Sequence, residues 1–165
     1  MTRVFAFLAL LFCVWFVAPQ PAQACVGLGC TCTVTAQDVA FGNYDPFAAS
    51  PNETSGDVSV TCGAQVAIGF SYDVKLSGGG SGDVMARRMT SGANTLNYQL
   101  YKDGGYATVL GNVTASGVGF ISENYTLTVS LLTRTIHYPI SARAPARQNV
   151  RPGSYSDTIT VTVDF

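Results

Sequence analysis

Charge is what this sequence has least of. Only 12% of its 165 residues are Asp, Glu, Lys or Arg, against about 25% in an ordinary soluble domain. Nine basic and ten acidic residues give a net charge of −1, with no block of either sign. Without a basic patch or stripe a nucleic-acid binder is excluded, and without a polybasic cluster so is a protein held electrostatically on a membrane surface. There is a single histidine, His137. What fills the space is 47% hydrophobic residues, 17 glycines and abundant threonine and serine. Such a composition reads as one β-rich, exported domain, long enough to bury a core.

Part of the scarcity of charge belongs to a leader. Arg3 supplies a short positive region, and Val4 to Val17 is an unbroken apolar run of 14 residues. The segment then closes on Ala22-Gln-Ala24, an Ala-x-Ala cleavage pattern. Fourteen apolar residues fall short of the ~20 that a membrane helix needs. Residues 1–24 therefore read as a signal peptide and 25–165 as the domain. Cleavage takes one charge, Arg3, and makes Cys25 the first residue; Ala-Gln-Ala before it lacks the Leu of a lipoprotein signal, so a lipid anchor is the lesser reading.

Of five cysteines, Cys13 leaves with the leader, so Cys25, Cys30, Cys32 and Cys62 remain. An even number in an oxidising compartment points to disulfides. Three pairings exist, and the spacing favours Cys25–Cys30 with Cys32–Cys62. The first closes the loop Val26-Gly-Leu-Gly29, where glycines permit the turn. The second staples two strand-like segments across a long loop, which stabilises most in the chain-entropy model. The spacing C-x4-C-x-C fits neither zinc nor plant-type iron–sulfur runs. No metal and no cofactor is expected.

Beyond the leader no window holds a 3.6-residue apolar period. Period-two alternation recurs instead: Ile68, Phe70, Tyr72, Val74 and Leu76; Leu96, Tyr98 and Leu100; Ile136, Tyr138, Ile140 and Ala142; and Tyr155, Ile159, Val161, Val163 and Phe165. Shorter strands are expected at Thr33–Val34, Val39–Phe41, Val58–Thr61, Met85–Met89 and Tyr125–Val129. Turn signals separate them at Asp45-Pro46, Ser77 to Gly82, Asp103-Gly-Gly105 and Arg151-Pro-Gly153. The glycine run 78–82 reads as a hairpin tip between two strands of one sheet. Pro139 inside a strand pattern predicts an edge strand or a bulge. The whole predicts an all-β sandwich.

Nothing in this pattern builds an enzyme. His137 falls on the polar side of its strand, with Thr135 and Ser141. No Gly-x-Ser-x-Gly elbow is present, the carboxylates are scattered over loops, and the glycine run lacks the Lys-Ser/Thr of a phosphate loop. The sequons at Asn52, Asn112 and Asn124 are of the kind that arises by chance in a Thr-rich chain.

Several motifs in order resemble the spore coat protein U domain, found in secreted bacterial proteins and in subunits of archaic chaperone–usher pili. They are Cys32-Thr-Val34, Phe41-Gly-Asn-Tyr-Asp-Pro46, Gly56-Asp-Val-Ser-Val-Thr-Cys62, Arg88-Met89 and Leu96-Asn-Tyr-Gln-Leu-Tyr101 with Asp103. The chain closes on Pro152-Gly-Ser-Tyr-Ser-Asp-Thr-Ile-Thr-Val-Thr-Val-Asp-Phe165. The resemblance runs from about Cys32 to Phe165.

It implies an immunoglobulin-like β-sandwich lacking its final strand, and it also supports the Cys32–Cys62 bridge. In such subunits a chaperone covers the open groove until a strand from the next subunit fills it, by strand addition. Tyr155, Ile159, Val161, Val163 and Phe165 would line one edge of that groove. The carboxylate of Phe165 would meet a chaperone's basic residues. The implied partners are a periplasmic pilus chaperone, an usher and sister subunits, with a surface or glycan receptor beyond them. The implied location is periplasm, then cell surface.

Polymerising members carry a donor strand ahead of the first domain cysteine. Here the seven residues Cys25 to Thr31 could extend roughly 23 Å, but they are glycine-rich and expected to be looped by a disulfide. The chain thus reads as a strand acceptor that does not donate, which suits a tip or minor subunit. The alternatives are a stand-alone secreted binding module, for instance for carbohydrate with Tyr101 and Tyr106 as platform, and a spore-coat structural protein.

Overall fold

The computed structural model describes residues 25–126 and 133–164, with backbone alone for 25–27 and 66–68. Residues 1–24, expected to be a signal peptide, Phe165 and the end of the strand expected over Tyr125–Val129 lie outside the described residues. In chain order the strands are β1 (Cys25–Leu28), β2 (Thr31–Gln37), β3 (Asn52–Gly63), β4 (Val66–Leu76), β5 (Arg88–Ser91), β6 (Asn94–Asn97), β7 (Gln99–Tyr101), β8 (Val109–Leu110), β9 (Val118–Gly119), β10 (Ile121–Tyr125), β11 (Thr133–Ala144) and β12 (Val161–Asp164). A single turn of 3₁₀ helix at Gly79–Ser81 is the only helical piece among the described residues.

Two sheets face each other, as the all-β sandwich reading requires. The first has the order β2-β3-β11-β7-β8-β9. Its spine is the antiparallel pair β3–β11, in register from Gly63↔Thr133 to Asn52↔Ala144. Period-two alternation turns Val58, Val60 and Cys62 of β3 and Tyr138, Ile140, Ala142 and Ala144 of β11 inward, where all are buried. The second sheet is built on β4, with β10 on one edge and both β1 and β12 on the other. Phe70, Tyr72, Val74 and Leu76 of β4 are buried against the first sheet. Each such apolar side chain contributes about 1.5–3 kcal/mol on burial. The short hairpin β5–β6 stands apart from both sheets.

A polar chain crosses the core. The hydroxyls of Tyr72 on β4 and Tyr138 on β11 are 2.8 Å apart, and Tyr138 also donates to Glu123 Oε2 at 3.2 Å. Burial pushes both phenols up; for Tyr138 the hydrogen bond to Tyr72 adds to the rise, and for Tyr72 it partly offsets it.

Four expectations need correction. The glycine run is not a hairpin tip: β4 before it lies in the second sheet, and β5 after it forms its ladder with β6 in the separate hairpin. Its turn uses left-handed backbone at Gly79 (φ 63°) and Gly82 (φ 73°), which glycine adopts freely. Pro139 sits in a central strand, with no bulge. It is tolerated there because β11 pairs with β7 only from Ser141 onward, so one edge is unbonded at the proline. Val39–Phe41 forms no strand, since the ladder of β2 with β3 ends at Gln37. In the segment Met85–Met89 only its last two residues are strand, within β5.

The C-terminal strand is also shorter than its alternation implies. Regular pairing with β4 covers Val161–Asp164, and upstream there is only a bridge between Ser156 and Thr90. Between them the chain borrows partners from the glycine turn. Ser77 and Thr160 exchange bonds, the Ser77 amide to the Thr160 carbonyl at 3.0 Å and the Thr160 amide to Ser77 Oγ at 2.9 Å. Asp157 accepts from the Gly80 amide at 2.8 Å and from the Tyr98 hydroxyl at 2.7 Å. The physical reason is that β4 ends at Leu76, so no strand lies alongside residues 157–160.

Candidate functional site: a groove between β2 and the C-terminal segment

The two strands that border the sandwich on one side each pair once. Among the described residues β2 bonds only to β3, and β12 only to β4. Each therefore leaves one row of backbone donors and acceptors unpaired, a template for another strand. Between them runs a groove of about 390 Å³, with Ala36 to Phe41 on one wall and Tyr155 to Val161 on the other. Its floor is core: Val58, Leu76, Leu100 and Ile140. It shares Val39, Phe41, Met89 and Tyr155 with a second, wider hollow of about 1050 Å³ that reaches residues 42–47 and 147–154.

Burial along the walls is uneven. Cys32, Val34 and Ala36 stand opposite Cys62, Val60 and Val58, and on the same face. The β3 members are buried, whereas Val34 is 41% exposed and Ala36 is exposed. On the other wall Ile159, Val161 and Val163 pack against the core but stay half-buried, and Tyr155 is half-buried too. Of the five residues expected at an acceptor edge, Tyr155, Ile159 and Val161 line the groove, Val163 packs against the core outside its lining, and Phe165 lies outside the described residues.

Cys32 and Cys62 are bonded, with Cα atoms 4.1 Å apart across β2 and β3. Cys30 is disulfide-bonded as well; the side chain of Cys25, its expected partner, lies outside the described residues. The bridge fixes the lower end of the β2 wall. The upper wall is clipped by Tyr44, whose hydroxyl donates to the Pro145 carbonyl at 2.6 Å and accepts from the Gln148 amide at 2.9 Å.

Arg87 escaped the sequence reading, which singled out its neighbour Arg88. Arg87 is 1% exposed and enters no ion pair among the described residues. It donates instead to the carbonyls of Ser77 (2.7 and 3.0 Å) and Leu110 (2.7 Å), and to Gln99 Oε1 (2.8 Å). One side chain thereby closes the ends of β4, β7 and β8 behind the groove floor. Burial lowers its pKa, yet an arginine stays charged. A strand-flanking arginine in an apolar stretch carries no local signal of this. Tyr98, on the floor, is pushed above its ordinary range by burial and then by its bond to Asp157.

The other candidates do not gather. His137 lies on the outer face, with Nδ1 2.9 Å from Asp57 Oδ2 and a largely exposed ring. Tyr101 and Tyr106 meet edge to face, with ring centres 5.3 Å apart and Arg143 stacked 4.1 Å over Tyr106. That is a packed corner rather than a flat platform.

A two-sheet immunoglobulin-like sandwich with an uncovered groove at its border is a pilin-like fold. Residues 21–162 match the Spore Coat Protein U domain, and the chain belongs to that family. It is similar to Protein U of Myxococcus xanthus, with 28% identity over 134 residues, 76% of this chain and 70% of that one. Its fold is similar to that in the crystal structure of the CsuC–CsuE chaperone–tip adhesion subunit pre-assembly complex, from the archaic chaperone–usher Csu pili of Acinetobacter baumannii. The TM-score is 0.51 at 20% identity, over 82% of this chain and 40% of that one.

Proposed function

We propose that this protein is an exported, non-enzymatic subunit of a chaperone–usher type surface fibre that accepts a strand from a sister subunit. The observation that carries the reading is the exposed inner face of β2, at Val34 and Ala36, opposite the half-buried Ile159, Val161 and Val163. An extended chain laid between these walls would bond to both free edges and place alternate side chains on the apolar floor. Tyr155, Ile159, Val161, Val163 and Phe165 form the acceptor edge, which a periplasmic chaperone would cover before the usher passes the subunit on.

The role we assign is a tip or minor subunit. Its support is that Cys25–Leu28 is already laid into the edge of β4 as β1, antiparallel from Cys25↔Phe70 to Leu28↔Val66. A segment engaged in its own sheet is poorly placed to serve as a donor. Adhesion to a surface or glycan would follow from that position.

The test is incubation of the exported chain with synthetic donor-segment peptides from sister subunits. Binding with a rise in thermal midpoint is expected. Failure of every such peptide to bind overturns strand acceptance, and failure to co-purify with a chaperone made in the same cells overturns the fibre assignment.

A further inference from the structure

The wide hollow of about 1050 Å³ that adjoins the groove is walled by loops. No strand lies in 38–51 or 145–154, so these walls offer no backbone ladder to an extended peptide. The residues that line it include two arginines, Arg147 and Arg151, and no Asp or Glu. The acids near it in sequence are placed elsewhere. Asp45 is outside the lining and accepts from the Phe47 amide at 2.9 Å. Asp38, next to Val39, lines the narrow part instead, and Asp157 is occupied by Tyr98 and Gly80.

The backbone beneath both arginines is fixed, while their side chains are not. Gln148, next to Arg147, accepts from the Asn97 amide at 2.8 Å and donates to the carbonyls of Asn97 and Pro145 at 2.9 and 3.1 Å. Tyr155 donates its hydroxyl to the Arg151 carbonyl at 2.8 Å. Arg147 is held with φ 57°, a backbone state that a non-glycine residue adopts at a cost and that gathers at ligand sites. Arg147 and Arg151 are both exposed, and neither side chain enters an ion pair among the described residues. On the other loop Asp45 to Ala48 form a tight turn, with the Ala48 amide on the Asp45 carbonyl at 3.2 Å. That turn holds Phe47 at the hollow with 90% of its surface exposed.

An arginine fork matches the paired oxygens of a carboxylate or a sulfate. A phenyl face packs on the C–H face of a sugar ring, since both are apolar. The exposed amides of Asn43 and Asn149, also in the lining, offer donors and acceptors to hydroxyls. An acidic peptide would use the charge alone; an acidic sugar uses all three.

We infer that this hollow binds an acidic saccharide, whose carboxylate or sulfate groups meet Arg147 and Arg151 and whose ring packs on Phe47. The inference names the chemical class of receptor for the adhesive role proposed above, and it does not depend on strand acceptance.

Titration calorimetry on the full exported chain tests it with a short oligogalacturonate, its neutral methyl ester, a sulfated galactose oligomer and oligoglutamate. An acidic oligosaccharide is expected to bind about tenfold tighter than the neutral ester, and the tighter of the two acidic forms identifies the oxyanion. The preference is expected to shrink as salt rises from about 50 mM to about 1 M, where screening reaches about 3 Å. Arg147→Gln combined with Arg151→Gln is expected to remove the preference while the thermal midpoint stays unchanged. Phe47→Ser is expected to weaken acidic and neutral sugars alike.

Equal binding of acid and ester, unchanged binding by the double arginine variant, or no binding of any sugar overturns the site. Oligoglutamate that binds as tightly as the acidic sugars overturns the saccharide in favour of an acidic peptide. Strand acceptance is read separately, with donor-segment peptides, and stands or falls on those.

Discussion

Val34 and Val60 face each other across β2 and β3 on the same side of the sheet, yet Val60 is 1% exposed and Val34 is 41% exposed. Two valines in one register row thus do different work. Val60→Thr puts a hydroxyl into the closed core and is expected to destabilise the free subunit by about 1–3 kcal/mol. Val34→Thr is expected to leave the free subunit within about 0.5 kcal/mol and to weaken strand binding. Urea unfolding of both variants, with and without a donor peptide, separates the two effects. Equal losses in the free subunit would mean that the β2 face is covered already.

Arg87 closes the strand ends chiefly through the Ser77 and Leu110 carbonyls, so its loss strands buried acceptors. Arg87→Met keeps the volume but leaves the carbonyls of Ser77 and Leu110 without their arginine donor, while Gln99 Oε1 keeps the Leu100 amide at 3.1 Å. At about 1–3 kcal/mol for each stranded polar group, a fall in stability of several kcal/mol is expected, read as a drop in the urea midpoint. Arg88→Met, on an exposed neighbour, is the control expected to change little.

Alkaline pH is expected to loosen the fold through its tyrosines. Tyr72, Tyr98, Tyr125 and Tyr138 all have pKa values raised above 10.0, with burial the first cause in each. A phenol that ionises less readily when folded contributes its stability fully below the unfolded pKa. That contribution is lost as the pH rises through 10 toward the folded values. The urea midpoint should therefore hold steady from pH 8 to about 9.5 and fall above about 10. Tyr138→Phe, which removes the hydroxyl shared with Tyr72 and Glu123, should flatten the alkaline limb.

The Cys32–Cys62 bridge spans 30 residues in sequence. Chain entropy assigns such a loop about 3–4 kcal/mol. Replacing both cysteines by alanine is expected to lower unfolding stability by that order, measured without reductant. Because the bridge also ties β2 to β3 at one groove wall, the same variant should bind a donor peptide more weakly than its stability loss alone implies.

Alternation along β3, β4 and β11 was legible from the residues because the side-chain period of a strand is a local property. The buried set there, from Val58 and Phe70 to Ile140 and Ala142, follows from it directly. The Cys32–Cys62 pairing was legible too, since the two cysteines open and close adjacent strands. Alternation says which way a side chain points, however, and not whether anything lies over it. The inner residues of β2 and of 155–163 share the pattern of the closed core but are left half covered.

What the sequence alone determined is the scarcity of charge, the leader-like start, the β period and the family motifs, all written in short-range residue order. Only tertiary structure decided that the glycine run joins two different sheets, that the last strand pairs for just Val161–Asp164, and that Arg87 is buried among carbonyls. It alone brought Val39, Phe41, Met89 and Tyr155 together where the two parts of the groove meet. Such partners lie far apart in the chain, and the packing of two sheets, which no local rule encodes, is what makes them neighbours.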